Sequence, residues 1–468
     1  MTFDFIIIGS GPAGSIVSNK LAKEGFKIAL IDRAKNEKST IINDFFCPYV
    51  NKCPSYYSPL YSNQLGGNSE LWHSKIYLLS EDELNMNDWN IKYKELKKYS
   101  DLLAKTFNIK KKLLTKFKKK KRNTIHRYSL RANFRNMFKY LKINQNQNIK
   151  IFKGYSPVKL IFFKNKVAKV IVKNNEKNSK ILNLKNSIIF CAGGLGNPHL
   201  LLNLLPNKNP LLGKFLSDHS HVNIGKILDK NFERFKQIAK PNIKSNLGIK
   251  DEEIALIKKK DNFFSGIQLD YKTDPLRKLR RFFVKIENLK IRKFLSFFSF
   301  IILKLNGLYF KIGVLVNRYY KYSFEFFFSQ NPNTKNKASL SHKFDEFGLK
   351  KIDIKWNIRK KDQKIYNSII KEFLISEGFL NEQIKDYNFQ NNFYKSGVSG
   401  LHPSCTTKIG KSSSLGVINS NLKLFDYDNI YVCGSSVFPF NGYTNPTWTI
   451  MTLALRLSHK LKKKYKKI

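Results

Sequence analysis

The first 32 residues limit what this chain can fold into more than any other stretch. Phe3-Asp4-Phe5-Ile6-Ile7-Ile8 is apolar and β-branched, the pattern of a short buried strand. Gly9-Ser10-Gly11-Pro12-Ala13-Gly14 follows at once and fits G-x-G-x-x-G. Ser15 to Glu24 then carries Ile16, Val17, Leu21 and Ala22 at helical spacing, and Gly25 stands where a helix stops. Lys27 to Ile31 reads as a second strand ending on Asp32, 18 residues past Gly14. Each piece has a physical task. Gly9 permits the tight strand-to-helix turn. Gly11 lets backbone approach a pyrophosphate at the positive helix N-terminus, and Gly14 lets helix and strand pack closely. Pro12 and Ala13 belong to the same loop. Asp32 can hydrogen-bond both hydroxyls of an adenosine ribose, and its charge argues against NADP. The motif by itself fits FAD and NAD equally.

Composition narrows the class. A chain of 468 residues makes two or three domains, or one large fold with an inserted lobe. Its 42% apolar and 14% aromatic content supports a sizeable core and excludes disorder throughout. The net charge is +51, mostly from Lys. Lys, Asn, Ile and Phe are all abundant and all have AT-rich codons, which accounts for much of the excess. No zinc-finger, helix-turn-helix or RNA-recognition signature accompanies the basic patches, so a nucleic-acid partner is not expected. Five scattered cysteines (Cys47, Cys53, Cys191, Cys405, Cys433) exclude a disulfide scaffold and favour a reducing, cytoplasmic setting. Cys47 and Cys53 have the wrong separation for a zinc pair, and no metal is expected. Met1 to Asp4 lacks a basic leader, so no signal peptide is expected. Phe294 to Leu303 gives only ten clean apolar residues, too few to span a bilayer that needs about 20. Arg277, Lys278, Arg280, Arg281, Lys290, Arg292 and Lys293 flank it. Two readings stay open for 276–316: peripheral contact with the inner face of a membrane, or an ordinary buried helix.

Other segments gain meaning from their order. Leu65-Gly66-Gly67-Asn68-Ser69 is a polar, glycine-rich loop before Trp72 and His73. Ile151-Phe152 and Val167 to Val172 read as strands, with Val158 between them. Ser187 to Gly194 is a buried strand running into Ala192 and Gly193, small enough for a second cofactor surface to come close. Asn197-Pro198 is predicted to start an apolar helix over His199 to Leu205. Residues 226–395 are basic and aromatic, with strand-like runs at 337–340 and 352–356 but no glycine motif. Asn429 to Pro439 is a strand ending in Gly434 and Ser435, and Asn445-Pro446-Thr447 opens a final apolar helix.

On these residues the chain resembles the glucose–methanol–choline family of FAD-dependent oxidoreductases. His402, Pro403, Thr406 and Gly410 fit the family's H-P-x-G-T-C-R-M-G, and Gly416-Val417 its G-V-V-D. Ser435 to Pro439 fit S-S-V-F-P, and Asn445, Pro446, Thr449 and Ile450 fit N-P-T-x-T-I. Gly66-Gly67-Asn68-Ser69 resembles the G-G-x-S loop, and Asp88-Trp89 with Tyr93 and Leu96 resembles D-W-P-x-x-Y-x-x-L. Leu212-Gly213-Lys214 with Asp218-His219 resembles G-R-x-x-x-D-H. Cys405, Thr407, Lys408 and Ile409 depart from the pattern.

The resemblance implies an α/β chain: a Rossmann-like FAD-binding domain built from discontinuous segments, plus an α+β substrate-binding lobe. The expected division is 1–225 with an excursion into the lobe around 76–125, then the lobe at 226–395, then 396–468 completing the FAD domain. It implies FAD contacts from Gly9, Gly11, Pro12, Ala13, Gly14, Asp32, Gly66, Gly67, Asn68, Ser69, Val158, Ala192, Gly193, Gly434, Ser435, Asn445, Pro446 and Thr447. Relatives with covalent flavin carry His where Leu71 stands, so non-covalent FAD is expected, unless a shifted loop brings His73 to the ring. His402 is the implied base for an alcohol's hydroxyl proton, and Asn445 the donor to its oxygen. Backbone amides near Pro446 and Thr447 would face the flavin's pyrimidine edge. His73, His199, His219 and His221 are read as structural. The expected activity is oxidation of a CH–OH group, of a sugar or polyol, with hydride transfer to flavin. Oxygen, quinone and cytochrome stay open as electron acceptors. A flavoprotein isomerase or mutase, and a catalytically degenerate membrane-surface protein of the same fold, are the alternatives.

Overall fold

The computed structural model describes residues 1–34, 62, 64–72, 75–79, 81–85, 88–109, 117–119, 124–131, 136–224, 252–258, 264–270, 323–376, 398–399 and 401–466. Stretch 276–316, Cys47, Cys53 and His73 lie outside them.

The opening apolar run forms β1 (Thr2–Ile8), in which Phe5, Ile6 and Ile7 are fully buried. A strand greasy on both faces belongs inside a parallel sheet. β1 accordingly lies between β2 (Ile28–Asp32) and the long strand β6 (Ser179–Phe190), parallel to both. β3 (Ile149–Lys153) continues the sheet beyond β2, and β7 (Ile430–Val432) adds a parallel strand beside β6. The first half of β6 pairs antiparallel with β5 (Lys166–Asn174), which pairs with β4 (Tyr155–Phe163). The parallel order β3-β2-β1-β6-β7 is a Rossmann-like sheet, completed by a strand from the far end of the chain. Helix α1 (Pro12–Ala22) and the last helix, α5 (Thr447–Tyr465), pack along each other, and α2 (Tyr93–Thr106) lies against α5. Arg456 of α5 is buried, pairs with Glu95 of α2 at 2.8 Å and donates to the Ser420 carbonyl at 2.6 Å.

A second, antiparallel sheet runs in the order 398–399, 220–224, 323–328, 264–270, 252–258, 124–131, 75–76. Helix α4 (Lys360–Ser376) packs on it through rings: Tyr366 stacks on Phe328 at 4.3 Å and Phe373 meets Phe326 edge-on at 5.5 Å. The runs read as strands at 337–340 and 352–356 form one hairpin, Lys337–Phe344 with Lys350–Lys355.

One helix begins earlier than its sequence suggests. α3 spans Gly193–Leu204 and has Pro198 inside it, where the sequence placed Asn197-Pro198 at the start. Proline has no N–H for the carbonyl four residues back, that of Gly194. Thr406 Oγ1 donates to that carbonyl at 2.6 Å and supplies the missing partner. Among the described residues no helix is long and apolar enough to cross a membrane.

Candidate active site

The carboxyl ends of β1, β2, β6 and β7 open onto one cavity of about 360 Å³, where an open α/β sheet binds its ligands. Gly9 leaves β1 at φ +97°, and a Cβ on Gly14 would fall 1.8 Å from the Gly9 carbonyl oxygen. The turn therefore closes only with glycine at 14. A Cβ on Gly11 would meet nothing within 4 Å, and Gly11 lines the cavity with Gly9, Pro12 and Ala13. This cradle fits the pyrophosphate of a dinucleotide at the start of α1.

Asp32 lines the same cavity from the tip of β2. Its Oδ2 accepts from the Ser10 amide at 2.6 Å and its Oδ1 from the Ala34 amide at 2.8 Å. Each oxygen keeps a second lone pair for a ribose hydroxyl. Burial raises the carboxyl above its ordinary value, opposed by the hydrogen bonds from Ser10 and Ala34 and by the charge of Arg33. Ser10 Oγ accepts from the Gly66 amide at 2.9 Å and so ties the second glycine loop to the first. Gly67, Asn68 and Ser69 line the cavity, and so does Leu71.

From the other side come Ala192 and Gly193 after β6, Gly434 and Ser435 after β7, and Pro446 and Thr447 at the start of α5. Asn197 stitches them together, accepting from the Ala192 amide at 2.7 Å and donating to Ser436 Oγ at 2.9 Å. Ser435 Oγ donates to the Pro403 carbonyl at 2.7 Å and fixes the loop that carries His402. His402 and Asn445 both line the cavity, and Asn445 Nδ2 donates to His402 Nε2 at 3.3 Å. The His402 amide donates to both carboxylate oxygens of Asp218, at 3.1 Å each.

Three sequence-predicted contacts stand elsewhere. Gly14 and Gly66 form a layer behind the cavity wall: Gly14 against Gly9, and Gly66 against the Asn136 side chain. Val158 packs against the core, while Tyr155 and Pro157 line the cavity. Alternation along β4 puts 155 and 157 on one face and 158 on the other.

Sequence reasoning missed Arg33 and His219. Arg33 lines the cavity, pairs with buried Asp345 at 2.9 Å, donates to Ser156 Oγ and lies over the Phe347 ring at 4.5 Å. It thereby fastens β2 to the turn of the 337–355 hairpin. A basic residue directly after Asp32 was the available signal. His219, read as structural, has its Nε2 3.2 Å from His402 Nδ1. Asp218, His219 and His402 offer nitrogen and oxygen atoms within 4.8 Å of one another. The ring–ring hydrogen bond and the His402 amide account for that closeness, and we assign no metal there.

Cys405 stands where the family pattern has glycine, and its φ is +69°. Burial pushes its thiol up to about 12, so it is an inert packed group rather than a reactive thiolate.

Strand order, the two glycine loops and a half-buried acid at the tip of β2 define a dinucleotide-binding fold. A family model described as GMC oxidoreductase matches residues 332–454. The 6'''-hydroxyparomomycin C oxidase of Streptomyces lividus is 26% identical over 133 residues, which are 28% of this chain and 23% of that protein. The match thus spans about a quarter of that relative. Among solved structures, formate oxidase from Aspergillus oryzae superposes with a TM-score of 0.63 at 13% identity, over 99% of both chains. An FAD-dependent oxidoreductase from Chaetomium thermophilum gives 0.63 at 13% over 100% of both. Pyridoxine 4-oxidase from Mesorbium loti gives 0.61 at 12%, over 98% of this chain and 99% of that one. Residues 332–454 are thus similar to the GMC oxidoreductases, and the whole chain shares the fold of the FAD-dependent oxidoreductases it superposes on.

Proposed function

We propose that the protein oxidises the CH–OH group of a small alcohol, of the sugar or polyol kind, with non-covalently held FAD. The observation that carries this reading is the His402–Asn445 pair, 3.3 Å apart on the wall of the cofactor cavity. Two proteins similar to this chain, the hydroxyparomomycin oxidase and pyridoxine 4-oxidase, are named for alcohol substrates.

When bound, FAD supplies the hydride acceptor. The chain's own groups manage the proton and the oxygen. Asn445 Nδ2 can only donate, so His402 Nε2 is the unprotonated nitrogen of its ring. A hydroxyl entering between them donates to His402 Nε2 and accepts from Asn445. His402 takes the proton as general base, worth roughly 100- to 10,000-fold. Asn445 steadies the charge that develops on the oxygen. Amides at the start of α5 present the positive end of a long helix to the same cavity. Leu71 lines the cavity and offers no nucleophile for a flavin bond, which supports non-covalent binding. Cys191, Cys405 and Cys433 are buried unpaired thiols, which supports a reducing, cytoplasmic compartment.

The test is anaerobic mixing of the FAD-loaded protein with a panel of sugars, polyols and small alcohols, read by loss of flavin absorbance. One class of alcohol should bleach the flavin. His402→Ala should slow bleaching at least about 100-fold with bound FAD unchanged. Equal rates in the two proteins would remove His402 from this role.

A further inference from the structure

We infer that His219 is a positioning residue and proton acceptor for His402, the two imidazoles working as one unit. This rests on the reading of His402 as the base. His402 Nε2 accepts from Asn445, so its Nδ1 carries the ring proton and donates it to His219 Nε2 at 3.2 Å. His219 must then hold its own proton on Nδ1. Each ring's tautomer is dictated by its neighbour, and the chain of bonds leaves the His402 lone pair facing the cavity.

The surroundings suit this task. His219 is 2% exposed, whereas His402 is half-buried at the cavity wall. Ionisable neighbours surround His219. Asp218 precedes it, His221 stacks on it at 5.0 Å and 5°, His402 sits at 4.7 Å between centroids, and the uncharged Phe327 ring meets it edge-on. A carboxylate oxygen of Asp218 lies within 4.8 Å of one nitrogen of each ring and favours one positive charge shared between them.

The transfer balances. The hydroxyl proton bonds to His402 Nε2, and the proton on His402 Nδ1 passes to His219 Nε2. His402 becomes neutral again in its other tautomer, and the positive charge rests on His219 beside Asp218. The reverse shift restores the pair once the Nε2 proton leaves. The charge is thus moved one ring back from the cavity wall.

The FAD-loaded full chain, with histidine ring nitrogens labelled with nitrogen-15, tests this by NMR across pH; with eight histidines, His402→Ala identifies the signals. The wild type should show His402 as the Nδ1–H tautomer. His219→Leu should abolish that preference and move the His402 titration. It should also slow flavin bleaching by about 10- to 100-fold and shift its pH midpoint. His219→Gln, whose amide oxygen accepts the same bond but takes no proton, should restore the tautomer and most of the rate at high pH, but not the wild-type pH profile. A His402 tautomer and titration unchanged in His219→Leu would overturn the proposal, as would a His219→Gln pH profile equal to wild type. If His219→Leu loses its flavin spectrum, His219→Gln decides alone. The tautomer needs no alcohol to be read. A wild type inert to alcohols with a His219-dependent His402 tautomer would sink the alcohol reading and spare the pair.

Discussion

Thr406 Oγ1 donates at 2.6 Å to the carbonyl of Gly194, the acceptor that Pro198 leaves without a partner inside α3. The bond joins the first domain's helix to the loop that carries His402. A Cβ on Gly194 would lie 1.8 Å from the Pro403 carbonyl oxygen, so the two backbones touch here. The cavity wall and the loop that carries His402 are therefore one packed unit.

Thr406→Val removes the hydroxyl and keeps the shape. Thr406 is fully buried, so the Gly194 carbonyl has no water to turn to. The expected cost is about 1–3 kcal/mol in denaturant unfolding, with weaker FAD retention, and Thr406→Ser should recover most of it. A valine variant as stable as wild type would show that this carbonyl finds another partner.

Glu24 predicts an acid limb in the stability of the α1–α5 pair. It sits 2.8 Å from Lys462, 3.3 Å from Lys466 and 3.5 Å from Lys20. The hydrogen bond from Lys462 is the main cause that lowers its carboxyl from 4.5 to about 2. The folded state thus prefers the charged form. Its contribution is present above pH 4.5 and drains away as pH falls towards about 2. Thermal unfolding of Glu24→Gln should show a shallower loss over that window than wild type, and added salt should shrink the difference. Identical acid limbs would contradict the pairing.

Leu71 predicts the fate of the flavin on denaturation. Acid precipitation should leave all yellow colour in the supernatant, and the pellet should carry no flavin fluorescence. Colour remaining with the protein would mean a covalent bond through another side chain.

The local devices of this fold were legible in the chain. Phe3 to Asp32 announces strand, turn, helix, strand and acid, because period-two and period-3.6 patterns and glycine punctuation are short-range properties. His402 and Asn445 were legible through the resemblance of their surrounding runs. Other features were not. Tyr155 and Pro157, rather than Val158, line the cavity because strand register chose the face. α3 begins at Gly193 because a hydroxyl 212 residues away repairs the break at Pro198. His219, 183 residues from His402, looked structural because nothing near it in the chain foretells an imidazole partner.

The sequence by itself determined the glycine cradle at the start of α1 and the residue types that line the cavity, since both are encoded in runs of neighbours. Only the tertiary structure decided which imidazole meets which, which face of β4 lines the cavity and which carbonyl Thr406 serves. Those depend on hydrogen bonds between segments far apart in the chain, whose partners are chosen when burial strips away the water that would otherwise satisfy them.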